Sequence, residues 1–496
     1  MKKNIALYTL IGLISLSTTA VYAEGEAIPL ATKRLIETLV EQGIITKSKA
    51  DALIRESEAV EKKPAPVRVP YVPDFVRKEI KDEVKKELAD QAKKEGWAGP
   101  GAVPDWVRNM KWEGELRIRY QHDGFDGNNA VAFTDVNATN SSGTEKFLNS
   151  TEGRDRMRVR ARLGVTTSFD PEWMAGFRIT TGSAGTPVTA NQTLGNYGNN
   201  YSALIDRAYI RYHPVEWLNV IAGRFGNPWY GTDLLWAPDL GFDGVAVQAT
   251  PVINQNMRGF VTVGAHPIQE VELSQHDKWL FGAQGGVDWV AENKMTGKVG
   301  LGYYKYTNVT GQTSPNGSSL NYFTAPGFTQ KGNTYYNISS TTDKTLQGLA
   351  SEYHLLNLTG SLNVPVFNHN QFMITADYVK NLGFDQAAVS ARFGSEVKKQ
   401  NIGYQMRFAL GKPEIKAKGD WQVYTGYKRV ESDAVLDAFT DSDFHLGGTN
   451  ARGYFLGGSY GLSPNTFANF RYLSADSIEG PPFGIDVLQL DLNLRF

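Results

Sequence analysis

Four arginines at alternate positions, Arg156, Arg158, Arg160 and Arg162, form the densest run of chemically capable side chains in the sequence, and Arg117 and Arg119 repeat the spacing one segment earlier. Residues two apart in an extended strand share a face at a spacing of about 7 Å. All six therefore project from one side of two neighbouring strands. A guanidinium does not titrate in the physiological range, so the chemistry open to this stripe is electrostatic and not proton transfer. Like charges so close repel unless water, carboxylates or passing anions screen them. Arg207 and Arg211 lie on a later strand and extend the stripe.

The stripe has two readings. It guides anions, alone or as one half of a transverse field opposed by Asp233, Asp239 and Asp243, or it forms an ion-pair lattice with Glu113 and Glu115 that only stiffens a wall. Arg224 has no clear facing in the alternation. The segment Asn227 to Asp243 is unusually rich in bulky and acidic groups, among them Pro228, Trp229, Tyr230, Trp236 and Pro238. It reads equally as a constriction loop folded inward and as an aromatic patch at a membrane interface.

Covalent chemistry finds little support. Gly457-Gly458-Ser459-Tyr460-Gly461 matches G-x-S-x-G, but that motif needs a strand, a sharp turn and a helix, and here it sits inside an alternating strand. The seven histidines are scattered, without metal-ligand spacing. The absence of cysteine removes thiolate nucleophiles, thiolate metal sites and disulfides. The expectation is no enzyme, no metal and no cofactor.

The elements that carry the arginines are strands that cannot belong to a soluble core. In Lys111 to Gln121, Trp112, Gly114, Leu116, Ile118 and Tyr120 alternate with Glu113, Glu115, Arg117, Arg119 and Gln121. In Arg154 to Phe169, Met157, Val159, Ala161, Leu163, Val165 and Phe169 alternate with the arginine ladder. Only lipid on one side and water on the other satisfies both faces. The same dyad recurs to Phe496, which predicts an all-β transmembrane barrel of about 16 antiparallel strands. Short links alternate with long polar stretches, the longest being Asp123 to Gly153, Asn308 to Ser351 and Glu431 to Ala451, which are expected outside the cell. Trp112, Trp173, Trp217, Trp279, Trp289 and Trp421 fall near strand ends, as interfacial girdles do.

The first hundred residues differ in kind. Residues 1–23 combine Lys2 and Lys3, an apolar core from Ile5 to Leu16 and Val21-Tyr22-Ala23, the pattern of a cleavable signal peptide. Within 24–104, Leu35 to Glu56 has helical spacing around Gly43, Lys62 to Pro73 is a proline-rich linker, and Phe75 to Glu95 is a charged helix with one apolar face. The barrel is expected over 105–496. Across the 496 residues, 51 Lys and Arg nearly cancel 52 Asp and Glu, so no bulk field attracts nucleic acid and any charge selectivity depends on placement.

The last strand, with Leu488, Leu490, Leu492, Leu494 and Phe496 alternating with Gln489, Asp491, Asn493 and Arg495, resembles the C-terminal signal read by the barrel-assembly machinery, Phe496 being its terminal aromatic. Nearly the whole chain after residue 23 resembles the putative porin family of Gram-negative bacteria. The resemblance rests on the helical hairpin, the charged helix, Ala208-Tyr209-Ile210-Arg211-Tyr212, Ala222-Gly223-Arg224-Phe225-Gly226-Asn227-Pro228 and Phe242-Asp243-Gly244-Val245. It implies an outer-membrane channel for passive diffusion of small hydrophilic solutes or ions, in contact with outer-membrane lipids, assembled as a homotrimer and with its N-terminal region in the periplasm. A structural protein that tethers the outer membrane to the cell wall through residues 24–95 is the alternative.

Overall fold

In a computed structural model, the described residues are 104–496 except 273, with isolated positions at 40, 46–48 and 50–51. Residues 100–496 form one compact unit. The expected signal peptide, linker and charged helix lie outside the described residues, as does most of the helical hairpin.

Sixteen long strands make the wall. They are β1 (Lys111–Phe125), β2 (Arg154–Ser168), β3 (Trp173–Thr180), β4 (Leu204–Val215), β5 (Leu218–Gly226), β6 (Gly241–Ala249), β7 (Met257–Gln269) and β8 (Lys278–Val290). The second half comprises β9 (Thr296–Thr307), β10 (His354–Pro365), β11 (Gln371–Asn381), β12 (Ile402–Gly411), β13 (Trp421–Val430), β14 (Ala451–Ser463), β15 (Thr466–Ser477) and β16 (Gly484–Arg495). Each pairs antiparallel with its sequence neighbour, and β1 pairs with β16 from Glu115↔Arg495 to Phe125↔Ile485, closing the barrel. Closure continues one residue further through reciprocal backbone bonds between Gly114 and Phe496 at 2.7 and 3.1 Å.

The alternation read from sequence sets inside from outside. On β16, Leu490 and Leu492 are 46% and 47% exposed, whereas Gln489 and Asn493 are 1% and 3% exposed. Apolar side chains thus cover the outer face and polar ones point inward, the inversion that a lipid surround requires. Trp112, Trp173 and Trp217 are exposed at strand ends, as expected of interfacial residues.

The strands split the connections into two classes. Turns such as 216–217 and 464–465 gather at one rim with both barrel ends, and the connections 126–153, 181–203, 308–353 and 431–450 gather at the other. Two loops contain short helices absent from the sequence reading. Val136–Ser142 is capped by Asp135, which accepts from Ala138 N at 2.9 Å, and Gln386–Phe393 is capped by Asp385.

One irregularity explains why Arg224 resisted assignment. Gly223 on β5 pairs directly with Gly244 on β6, and both have positive φ, +115° and +112°. A Cβ on Gly223 would lie 2.4 Å from the Ala208 carbonyl oxygen, and one on Gly244 would lie 2.2 Å from that of Ala265. Only glycine fits this twin backbone flip, which falls in the middle of the simple period-two pattern. Gly244→Ala is expected to destabilise the barrel by about 1–3 kcal/mol, read as a lower midpoint in urea unfolding of the refolded protein. An unchanged midpoint would mean that the flip is not required.

Candidate functional site

The register brings the expected arginines together on the inner wall. Arg117 lies opposite Arg160, and Arg119 opposite Arg158, across β1 and β2, while Arg156 lies opposite Gln121 and Arg162 opposite Glu115. Like charges directly opposed across a strand pair are destabilising, so the wall depends on counter-charges. Arg207 and Arg211 lie on β4, beyond β3, and have no carboxylate partner among the described residues.

Some counter-charges come from the wall itself. Asp491 of β16 takes Arg119 in a two-pronged pair, Nε at 2.7 Å and Nη2 at 2.9 Å. Glu115 contacts Arg160 and lies 3.6 Å from Arg162, and Asp123 contacts Arg156. The anticipated lattice exists through Glu115; Glu113 makes no ion pair among the described residues.

Others come from the loop between β5 and β6, residues 227–240, which folds into the lumen. Leu234, Leu235, Trp236 and Ala237 are each at most 3% exposed and are packed away from the apolar outer face. Trp229 and Trp236 pack edge-on against Tyr304 at 5.1 and 5.2 Å. Tyr230 bonds Gln284 through its N–H at 2.8 Å and Ser361 through its hydroxyl at 2.8 Å. Asp377 of β11 accepts from Thr232 N–H at 3.1 Å and its hydroxyl at 2.6 Å, and also from Asn357 and Thr359.

Asp239, at the end of this loop, accepts 2.8 Å bonds from Arg160 and Arg162 and a 2.9 Å bond from the Ala190 N–H. Burial pushes its carboxyl up, but the two guanidiniums outweigh that and hold it down at about 2. Asp233 lies 3.1 Å from Lys428 and 3.4 Å from Arg471. Asp243 differs from its expected place. It is a residue of β6 and not of the loop, and it pairs with Arg224 at 2.9 Å, away from the ladder.

The sequence reading missed a second inward segment. The 431–450 connection, expected outside, brings Asp443 to 3.2 Å from both Arg119 and Arg471, and Asp441 to 3.3 Å from Arg471 and 3.5 Å from Lys428. Arg119 and Arg471 hold the Asp443 carboxyl well below the usual range despite its burial. Ala434, Val435 and Leu436, an apolar run unlike a solvated loop, were the available signal. The upper part of this segment interlocks with the 308–353 loop. Asp433 accepts from Thr334 at 2.6 Å and Tyr353 at 2.9 Å, and Asp437 from Tyr335 at 2.7 Å. A chamber of about 610 Å³, lined by Thr186, Asp206, Asp239, Phe242, Phe328 and Phe439 among others, adjoins the constriction.

The family model described as putative porin matches residues 30–496. No curated protein matches. Among solved structures, the high-pH form of OprB from Pseudomonas putida is similar at 12% identity over 79% of this chain and 95% of that one, with a TM-score of 0.45. The outer-membrane channel DcaP of Acinetobacter baumannii is similar at 11% identity over 78% and 97%, with a TM-score of 0.40. Salmonella typhi OmpF, in complex with daunomycin, is similar at 8% identity over 78% and 97%, also with a TM-score of 0.40.

Two outcomes follow from these anchors. Asp377→Ala removes the acceptor of both Thr232 bonds and is expected to weaken the loop's attachment by about 1.5–3 kcal/mol per bond, seen as faster amide exchange across residues 230–236. Unchanged protection there would place the anchor elsewhere. Burial raises the Asp437 carboxyl to about 7, with Tyr335, Tyr353, Lys331 and Asp433 as its titratable neighbours. Its raised folded pKa means that its contribution is complete below about pH 4, the unfolded value, and is lost as pH rises towards 7. Between pH 5 and 8 the wild-type 431–450 segment should lose at least about tenfold more exchange protection than Asp437→Asn, one pKa unit being tenfold. Parallel profiles would assign the pH response to another group.

Proposed function

The chain belongs to the putative porin family, and from that premise we propose that it forms a water-filled channel in the outer membrane for passive diffusion of small hydrophilic solutes, with a bias towards anions. The observation that carries this reading is the lumen. A closed barrel turns arginines, carboxylates and amides inward, and two loops narrow that space without filling the adjoining chamber. Charged inner faces at membrane depth are tolerable only when hydrated or paired, and a molecule serving only as a tether has no need of them.

The bias follows from the charge balance. Carboxylates meet Arg119, Arg156, Arg160 and Arg162, but none meets Arg117, Arg158, Arg207 or Arg211. These four unpaired guanidiniums make the β1, β2 and β4 side of the lumen locally positive, whereas Asp377 and Asp433, which meet neutral donors only, lie apart on β11 and the 431–450 segment. A positive stripe along a confined aqueous path attracts anions. The reading extends to a homotrimer inserted by the barrel-assembly machinery, with residues 1–23 removed and residues 24–104 in the periplasm. The tether alternative rests on residues 24–95, which lie almost wholly outside the described part.

Planar-bilayer recording of the refolded protein under a salt gradient tests the proposal. Steady conductance with a reversal potential displaced towards the anion equilibrium value is the expected result. A correctly folded barrel without conductance would sink the channel and move the weight to the tether; conductance without anion preference would remove the bias alone.

A further inference from the structure

The ion pairing in the lumen is uneven, and its gaps fall together. Arg117 is 9% exposed and donates to Asn191 Oδ1; its Nε is buried without an acceptor, as are those of Arg156, Arg160 and Arg162, but unlike theirs its guanidinium has no carboxylate within ion-pair reach. Arg158 donates to Gln121 Oε1 at 3.2 Å and likewise has no carboxylate partner among the described residues. Asn493 is 3% exposed, faces Arg117 across the β1–β16 seam, and its Nδ2 has no partner. Arg117 and Arg158 occupy diagonal positions on β1 and β2, since Arg117 is opposite Arg160 and Arg119 is opposite Arg158. Diagonal neighbours on a sheet face are about 7–8 Å apart at the backbone, a span that two long side chains close easily around one small ion.

Elsewhere the wall has solved its charge problem with fixed carboxylates: Asp491 and Asp443 for Arg119, Asp239 and Glu115 for Arg160 and Arg162, and Asp123 for Arg156. Leaving a buried guanidinium unpaired is costly. Arg117, buried, and its diagonal neighbour Arg158, half-buried, together with the orphaned amide donor of Asn493 opposite Arg117, are a set of donors that lacks an acceptor. Planar guanidinium forks match the oxygens of carboxylate and phosphate better than a spherical ion.

We propose that Arg117, Arg158 and Asn493 form a binding site for one small oxyanion, a carboxylate or phosphate group, inside the lumen. The proposal rests on the channel reading and refines it. Selectivity resides at the two unpaired arginines of β1 and β2, and their neighbours Arg119, Arg156, Arg160 and Arg162, already neutralised, contribute scaffolding. A permeating oxyanion pauses here because its oxygens supply the missing acceptors, and it leaves because neighbouring carboxylates keep the local potential shallow.

Inorganic phosphate titrated into the refolded protein in detergent at low ionic strength, followed by calorimetry, reads the site without requiring conduction. Saturable binding is expected for the wild type. Arg117→Lys and Asn493→Leu both keep the lumen's net charge while removing the fork or the amide donor, and each should weaken binding about tenfold or more, as loss of a hydrogen bond to a charged group does. Asn493→Ser replaces Asn493→Leu if the latter does not fold. Phosphate binding by Arg117→Lys and Asn493→Leu at wild-type strength would overturn the site, as would the absence of saturable binding by a folded wild-type barrel. Bilayer recording separates the two levels: conduction without phosphate binding removes only the site, whereas binding without conduction removes the channel.

Discussion

Everything in this molecule descends from the need to leave no backbone N–H or C=O unpaired against hydrocarbon. A sheet meets that need only by closing on itself, and the seam between β1 and β16 does so in register through Phe496. Once the hoop is closed, every strand has one face towards lipid and one towards the interior. The apolar residues go outward because the solvent there is apolar, and the polar residues are left to share a confined space.

Sharing that space is an electrostatic problem. Two strands crowded with arginine are not stable neighbours alone, and the structure neutralises them from three directions: along the wall through Glu115, Asp123 and Asp491, from the 227–240 loop through Asp239, and from the 431–450 segment through Asp443. Arg471 and Lys428 belong to the same lattice, meeting Asp233 and Asp441. The loops are held in the lumen partly by their own apolar residues and partly because the arginine wall attracts their carboxylates.

Much of this was legible in the sequence because it depends on short-range pattern. Alternation with period two placed Leu116 and Ile118 outside and Arg117 and Arg119 inside, and the repeats counted the strands correctly. Asp239 was also within reach of inspection, since its loop is conspicuous in composition. Asp441 and Asp443 were not, because the apolar run at 434–436 marks an inward segment but not which strands will face it, and Arg119, Lys428 and Arg471 come to it from three separate strands. The facing of Arg224 was illegible for a different reason: paired glycines at positions 223 and 244 reverse the backbone locally, and alternation has no means of representing such a flip. Asp243, read as part of the loop, was displaced to β6 by the same ambiguity.

The 227–240 loop has a mechanical consequence as well as an electrostatic one. Rooted between β5 and β6, it is bonded to β2 through Asp239, to β8 and β10 through Tyr230, to β11 through Thr232, and to β13 and β15 through Asp233. A ring of strands joined only edge to edge resists stretching around its circumference but yields to flattening, as any thin hoop does. Cross-ties from one side of the ring to several others oppose that flattening, much as spokes keep a wheel round. The cross-section of the passage is thereby made less responsive to lateral pressure from the surrounding bilayer, and its dimensions become a property of the chain more than of the membrane it sits in.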